Sequence, residues 1–261
     1  MGVLNITPDS FSDGGLFLEA QSAIDQAMLM VEQGADIIDI GGESTRPGAP
    51  EVSAKNELKR VLPVIEALSG NNDVPISIDT SKPFVMERAF EAGASIINDV
   101  YALRSKGALE MAASLGADVC LMHMQGNPRT MQKNPKYDDV VSDVKNFFIE
   151  RLEACSGVGI KLESITLDPG FGFGKNLAHN IALLKNLAEF HVCGVSILAG
   201  LSRKSMIGSL LGDKEVDSRM IGSVTAALIA VENGANIIRA HDVAETKDAL
   251  TVWQQIKHFR E

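Results

Sequence analysis

The sequence predicts an α/β protein that folds as a single-domain TIM (β/α)8 barrel, with parallel strands enclosed by outer helices. The length of 261 residues suits one such barrel. Short apolar runs alternate with amphipathic segments, and a Gly-Ala junction recurs between the two. A doubly wound open sheet is the alternative fold, because strand order cannot be read from a sequence. We expect one domain over residues 1–261, without a linker or a second domain.

The Gly-Ala junction separates a helical pattern from a short apolar run. Before Gly34, the apolar residues of segment 20–31 follow the spacing of a helix that packs on one side. Glycine can adopt the left-handed conformation that ends a helix. The apolar run that follows is typical of a strand buried on both faces. The four junctions begin at Gly34, Gly93, Gly116 and Gly234.

This alternation predicts eight strands, each followed by a helix, which is the number and order of a (β/α)8 barrel. The predicted strands cover residues 3–6, 36–40, 76–80, 96–100, 119–123, 164–168, 195–200 and 237–241. The predicted helices cover residues 19–33, 53–68, 83–91, 107–115, 138–155, 177–187, 219–232 and 245–257.

Composition and charge exclude several classes of protein. The chain is 45% hydrophobic and 22% charged, as in globular proteins with a large core. Its apolar runs are too short to span a bilayer and its start does not resemble a secretory signal, so we expect a cytoplasmic protein. A net charge of -10 argues against nucleic acid as a partner. The three cysteines lack the spacing of a zinc site or a disulfide framework and are predicted to be packing thiols.

A polar side chain lies near the carboxyl end of every predicted strand. In a barrel these ends surround one mouth, where the active sites of this fold lie. Because an unpartnered buried polar group costs about 1–3 kcal/mol, the recurrence predicts a shared pocket. Asp39 is the member best explained as structural, through bonds to backbone donors of its own loop. The predicted rim contains Asn5, Asp39, Asp79, Asn98, His123, Asp168, Ser202, Arg239 and His241.

The mouth also combines long loops with positive charge. Loops 7–18 and 41–52 have the length of functional lids. Segment 202–204, Ser-Arg-Lys, precedes a helix whose N-terminal amides could bind phosphate. Segment 168–176, DPGFGFGKN, fits neither the P-loop nor the dinucleotide fingerprint. A basic mouth in an acidic protein predicts an anionic ligand, and the cationic candidates are Arg46, Arg203, Lys204, Arg239 and His241.

Eight motifs together resemble the dihydropteroate synthases, a pterin-binding barrel family of folate biosynthesis. The motifs are MGVLNITPDSFSDGG, IIDIGGESTRPGA, ISIDTSKP, IINDV, LMHMQGNPRTMQ, LDPGFGFGKN, LSRKSMIG and IIRAHDV. The resemblance implies an enzyme of a sulfonamide-target family, usually a homodimer, that condenses (7,8-dihydropterin-6-yl)methyl diphosphate with 4-aminobenzoate and uses Mg²⁺. Members of the family usually carry a further segment before the first strand. In this sequence the first predicted strand begins almost at Met1.

The resemblance also implies a role for each matching residue. Asn5 would help to hold magnesium and diphosphate. Lys204, Arg239 and His241 would be catalytic. The residues implied for the pterin are Asp79, Asn98, Asp168 and Lys204. Those implied for diphosphate or aminobenzoate are Thr45, Arg46, Ser202, Arg239, His241, Phe11 and Phe173.

The residue chemistry is compatible with this reaction. Carboxylate and amide groups suit a flat heterocycle that has several N–H donors. An aromatic amine is neutral near pH 7 and needs little help from a general base, so departure of diphosphate is the harder step. Cations that neutralise the leaving group therefore favour a dissociative substitution in which diphosphate leaves first.

Three other functions compete with this prediction. Methyltransferases that transfer the methyl group of methyltetrahydrofolate to corrinoid proteins share the pterin barrel, but would not need the two long loops or segment 202–204. A non-catalytic pterin-binding protein would not need the whole polar rim. A Schiff-base aldolase using Lys204 is disfavoured by the neighbouring Ser202 and Arg203, which suit anion binding.

Overall fold

The computed structural model describes residues 1–6, 15–45, 48–71 and 73–259. Its strands are β1 (Gly2–Asn5), β2 (Ile38–Gly41), β3 (Ile76–Asp79), β4 (Ile96–Asp99), β5 (Asp118–Met122), β6 (Ile165–Asp168), β7 (Ser196–Ala199) and β8 (Ile237–Ile238). Its helices are α1 (Gly15–Glu32), α2 (Ala54–Ser69), α3 (Pro83–Glu91), α4 (Ala108–Leu115), α5 (Val140–Gly157), α6 (Leu177–Lys185), α7 (Ser205–Leu210), α8 (Met220–Glu232) and α9 (Val243–Lys257).

Hydrogen bonds join the strands in chain order from β1 to β8, and every pair is parallel. The circle closes where Ala240, after β8, pairs in parallel with Gly2 of β1. The Val3 N–H donates to the Ala240 carbonyl at 3.0 Å. This closure confirms the predicted barrel and excludes the open sheet.

Side chains along a strand alternate between two faces, so the strand register fixes which ones enter the barrel. In β2, Ile38 and Ile40 belong to the same buried apolar cluster as Ala27 of α1 and Val61 of α2. Asp39, between them, faces the interior, where helices cannot cover it. The outer layer of apolar side chains therefore holds the helices, while the inner layer is free to carry polar groups.

The predicted junction glycines adopt positive φ angles. Gly34, Gly93, Gly116 and Gly234 have φ values of 86°, 118°, 62° and 105°. Only glycine reaches this region without a Cβ clash, so the structure confirms the reason for the repeated motif.

Several element ends differ from the predicted ones because polar side chains cap them. Asp139 accepts a hydrogen bond from the Ser142 N–H at 2.7 Å, so α5 begins at Val140 and not at residue 138. The Asn186 side chain donates to the Ala182 carbonyl at 2.8 Å, and α6 ends at Lys185. A 3-10 segment then replaces the last predicted turn.

The thiols and the helices bear on two further predictions. Cys120 and Cys155 are buried and Cys193 is half-buried, and all three are free, as expected for packing thiols. Within the described ranges, no helix combines the length and the apolar character needed to cross a bilayer.

Candidate active site

Strand register places four residues side by side at the mouth of the barrel. Asn5 of β1 pairs with Gly41 of β2, which pairs with Asp79 of β3, which pairs with Asn98 of β4. Asp168 of β6 lies at the mouth beside Met122 of β5. The predicted pterin residues of three different strands thus share one inner face.

A buried ion-pair network occupies one side of this mouth. Arg239 Nε donates to Asp39 Oδ2 at 2.6 Å, and Arg239 Nη2 donates to Asp79 Oδ2 at 2.9 Å. Asp39 also accepts hydrogen bonds from Ser77 Oγ at 2.6 Å and Asn98 Nδ2 at 3.0 Å. The expectation that Asp39 bonds backbone donors of its own loop is wrong, because side chains from β3, from β4 and from the residue after β8 satisfy its carboxylate.

The network perturbs the carboxyl group of Asp79. Burial, and then the charge of Asp39, raise the pKa of Asp79 to about 7, although Arg239 opposes the shift. Burial works against the charge of Arg239 as well, but Asp39 and Asp79 raise its pKa above the ordinary value. The arginine is therefore permanently charged, and its charge partly offsets the effect of burial on Asp79.

A second corner of the mouth is formed by Asp168 and Lys204. Asp168 Oδ1 accepts the Gly170 N–H at 2.7 Å, and burial raises the pKa of Asp168 against the effect of Lys204. Lys204 Nζ donates to the Phe171 carbonyl and lies 4.9 Å from the centre of the Phe173 ring. Burial lowers the pKa of Lys204 to about 8.

Gly200 keeps space open between these groups. A Cβ at Gly200 would lie 3.7 Å from Lys204 Nζ and 4.0 Å from Asp168 Oδ2. The ammonium group and one carboxylate oxygen therefore border the same gap in the inner wall. A ligand there meets an acceptor and a donor together.

Ser202 and His241 form a third corner. Ser202 Oγ accepts the His241 N–H at 3.1 Å and lies 3.1 Å from His241 Nδ1. Burial, followed by the charges of Arg239 and Arg203, lowers the pKa of His241 to about 4. His241 is therefore a neutral imidazole near pH 7, and its inclusion among the cations is corrected.

Two residues of the predicted mouth have other partners. Arg203 donates to both Asp242 oxygens, with distances of 3.1 Å from Nε and 2.5 Å from Nη2, so it already has an ion-pair partner. His123 follows the inward Met122 and faces outwards, where its ring centre lies 4.9 Å from that of Phe147 in α5. His123 therefore does not join the predicted pocket.

Three predicted residues lie in or beside the long loops. Phe11 and Arg46 lie outside the described residues. Thr45 is half-buried in the segment after β2. Their implied contacts with diphosphate or aminobenzoate stay predictions.

Sequence reasoning missed two lysine sites near the mouth, one half-buried and one buried. Lys82 forms ion pairs with Glu43 and with the fully buried Glu57. Glu43 also accepts the Val52 N–H at 2.9 Å, which joins the two ends of loop 41–52. The position of Glu57 among the apolar residues of α2 is a signal that could have revealed this site. The second site is Lys175, which is only 3% exposed.

The donor atoms at the mouth fit a magnesium ion that is shared with a phosphate ligand. A Cβ at Gly41 would lie 3.6 Å from Asn5 Oδ1 and 3.7 Å from Asp79 Oδ2, so both oxygens border the same position. Mg²⁺ prefers oxygen ligands and is often held by one or two protein groups together with phosphate and water. Among the residues described, no group of three or more His, Cys, Asp or Glu could hold a metal ion without such help.

Comparisons with known proteins agree with this geometry. Residues 1–241 match the family described as pterin binding enzyme. The chain is 56% identical to the dihydropteroate synthase of Escherichia coli (strain K12) over 254 residues, which cover 97% of this chain and 89% of that protein. It is 50% identical over 260 residues to the dihydropteroate synthase of Neisseria meningitidis serogroup C, with coverages of 98% and 92%.

Solved structures give the same result. The dihydropteroate synthase of Yersinia pestis in a sulfonamide complex has a TM-score of 0.94 and 52% identity, covering 99% of this chain and 94% of that one. The enzyme of Xanthomonas albilineans in complex with 7,8-dihydropteroate has a TM-score of 0.91 and 47% identity, with coverages of 100% and 94%.

Proposed function

The chain belongs to the family of pterin-binding enzymes as a dihydropteroate synthase, and we propose that it uses a Mg²⁺-assisted dissociative substitution. The reaction joins (7,8-dihydropterin-6-yl)methyl diphosphate to 4-aminobenzoate and releases diphosphate. One observation supports the proposed site above all: Asp168 Oδ2 and Lys204 Nζ border the open position beside Gly200.

The pterin ring is held at this position by groups that match its edges. The carboxylate of Asp168 accepts the hydrogens of the 2-amino group and N3, because a carboxylate accepts two N–H donors in parallel. Lys204 donates towards O4 and N5. Asp79 of β3 and Asn98 of β4 also contact the ring, and the register of these two strands places the residues side by side.

The diphosphate is held by groups that lie next to this position, where a Cβ at Gly200 would come 3.9 Å from Arg239 Cβ. Arg239 uses Nε and Nη2 for Asp39 and Asp79, and its Nη1 has no hydrogen-bond partner among the residues that the structure describes. This nitrogen binds diphosphate together with neutral His241 and with Arg46 and Thr45 of the second loop. Asn5 helps to hold Mg²⁺, which when bound neutralises charge on the leaving diphosphate.

The nucleophile needs only a position near the pterin. Phe173, together with Ser202 and Phe11, surrounds aminobenzoate, whose neutral amine attacks the exocyclic carbon once diphosphate has left. Slow Mg²⁺-dependent release of diphosphate should therefore occur without aminobenzoate. Strict dependence of release on aminobenzoate in a stopped assay would contradict the dissociative order.

A turnover assay with both substrates tests the reaction, and an arginine variant tests the diphosphate site. Arg239→Ala should raise the dissociation constant of the diphosphate-bearing substrate more than that of bare pterin. Equal losses for the two ligands would remove Arg239 from the diphosphate site.

We also propose a homodimer formed through α8 and α9. Ile221 and Ile229 of α8 are 74% and 45% exposed, and Val252 and Ile256 of α9 are 59% and 74% exposed. In each helix the residues stand four or eight positions apart and so share one face. Paired exposed apolar stripes on adjacent helices are typical of protein interfaces.

Light scattering tests the dimer. Ile221→Lys should give a monomer, while Ile149→Lys, on the 42% exposed Ile149 of α5, should keep the mass of the wild type. A monomeric wild type, or a dimeric Ile221→Lys variant, would reject this interface.

A further inference from the structure

Lys175 is a buried cation that forms no ion pair with any residue in the described ranges. Its Nζ instead lies 3.2 Å from the His123 carbonyl, 3.0 Å from the Gly170 carbonyl and 3.0 Å from the Phe173 carbonyl. It also lies 2.9 Å from His123 Nδ1. An ammonium group has three N–H donors, and here three carbonyl oxygens surround it.

These carbonyls belong to two different loops. His123 follows β5, whereas Gly170 and Phe173 follow β6. The loops touch closely at Gly170, since a Cβ there would lie 2.0 Å from the His123 carbonyl oxygen. Gly170, with φ of 69°, turns its own carbonyl towards the amine. Lys175 thus ties the segment 170–174 to the end of β5.

The same segment supports Lys204 at the mouth. The Phe171 carbonyl accepts a hydrogen bond from Lys204 Nζ, and the Phe173 ring lies 4.9 Å from that nitrogen. Both groups therefore depend on the conformation of a glycine-rich segment, which by itself has many alternatives. The three hydrogen bonds of Lys175 select one of them.

His123 is the titratable group in direct contact with Lys175. Burial, and then the charges of Lys175 and Arg104, lower the pKa of His123 to about 2, so the imidazole is neutral. Burial lowers the pKa of Lys175 itself to about 7, with Asp168 opposing and Lys204 adding to the shift. The amine keeps N–H donors for the carbonyls in either protonation state.

We propose that Lys175 is a positioning residue for pterin binding, which holds segment 170–174 so that Phe171 and Phe173 fix Lys204. This inference rests on the proposed role of Lys204 in the pterin site. Lys175 itself touches no substrate, because it is enclosed by backbone carbonyls. Its effect on pterin affinity should therefore pass through Lys204.

A double-mutant cycle with bare pterin as the ligand tests this coupling. Lys175→Met, close in length but without donors, should raise the dissociation constant about tenfold, the equivalent of about one hydrogen bond. Lys204→Met should raise it too, and the double variant should bind no more weakly than Lys204→Met alone. Asn233→Ala, which removes a 2.8 Å bond to the Leu184 carbonyl on the helical layer, controls for a loss of stability.

The possible outcomes separate this inference from the proposed function. Unchanged pterin affinity of Lys204→Met would reject the role of Lys204 in the pterin site. Normal affinity of Lys175→Met, a loss matched by Asn233→Ala, or multiplied losses in the double variant would overturn the positioning role alone. If Lys175→Met does not fold, Lys175→Leu, which also lacks donors, is measured in the same cycle and judged by the same outcomes.

Discussion

At the scale of single residues, the two acidic corners of the mouth differ in how their charge is balanced. Asp39 and Asp79 share Arg239 through close contacts. Asp168 has Lys204 nearby, but one of its oxygens faces the open position beside Gly200. We therefore propose that this oxygen of Asp168 accepts the N–H groups of the pterin.

Asp168→Asn should weaken pterin binding by about 2–4 kcal/mol, because an acceptor becomes a donor that faces the donors of the pterin. Asp99→Asn is the matched control, since Asp99 also ends a strand but accepts from Tyr101 and Leu103. Calorimetry on both variants gives the comparison. Unchanged affinity of Asp168→Asn would place Asp168 outside the pterin site.

Removing Arg239 should also destabilise the barrel, beyond its effect on diphosphate binding. Arg239→Ala leaves Asp39 and Asp79 without their cation, and breaking a buried ion pair costs about 3–5 kcal/mol. Asp39→Asn in the same chain should restore part of this loss, because one uncompensated charge disappears. Urea unfolding measures the free energy of unfolding of the wild type, Arg239→Ala and the double variant. A stability of Arg239→Ala close to that of the wild type would contradict the ion-pair network.

The ionisation of Lys204 predicts how substrate affinity depends on pH. Burial lowers the pKa of Lys204 to about 8, opposed by Asp168 and aided by Arg239. The ammonium form exists below this pH, so affinity for the anionic substrate should fall as pH rises through about 8. Titration calorimetry between pH 6 and 9.5 should show this fall in substrate affinity for the wild type and not for Lys204→Met. An identical fall in affinity for the variant would assign the pH dependence to another group.

The contacts of individual polar residues could be predicted only in part. Alternation along a strand places Asp79, Asn98 and Asp168 on the inner face. A shift of one position reverses the face, however, and so His123 was misassigned to the pocket. The partners of Asp39 and Arg203 depend on contacts between distant segments, which no local pattern encodes.

At the scale of elements, the Gly-Ala junctions carry two separable requirements. Gly93 and Gly116 both have positive φ angles. A Cβ at Gly93 would lie 2.5 Å from Ser69 Cβ at the end of α2, whereas a Cβ at Gly116 would contact nothing within 4 Å. One junction therefore needs glycine for conformation and for space, and the other for conformation alone.

Gly116→Ala should cost about 1–2 kcal/mol for the left-handed backbone. Gly93→Ala should cost about 1–3 kcal/mol more, because α2 and α3 must separate. Thermal unfolding of the two variants measures the difference. Equal losses would show that the contact with Ser69 carries no energetic weight.

The order and type of the long elements could be predicted because their hydrophobic periods are strong. Their ends could not, since Asp139 and Asn186 set them through single side-chain bonds. The six-residue helix α7 is too short to show a period, and only its start after segment 202–204 was expected.

At the scale of the whole molecule, the site exists only because the barrel closes. Arg239 and Asp39 are 200 positions apart in sequence, and Arg239 and Asp79 are 160 apart. The bridge between Ala240 and Gly2 brings these residues together. Closure thus links the stability of the fold to the geometry of the mouth.

The most direct test is the electron density of a crystal grown with bare pterin, diphosphate and Mg²⁺. We expect the pterin ring beside Gly200, with its N–H groups on Asp168 and its O4 near Lys204, and the diphosphate near Arg239 and His241. Pterin density elsewhere on the protein, without contact to Asp168 or Lys204, would contradict the account.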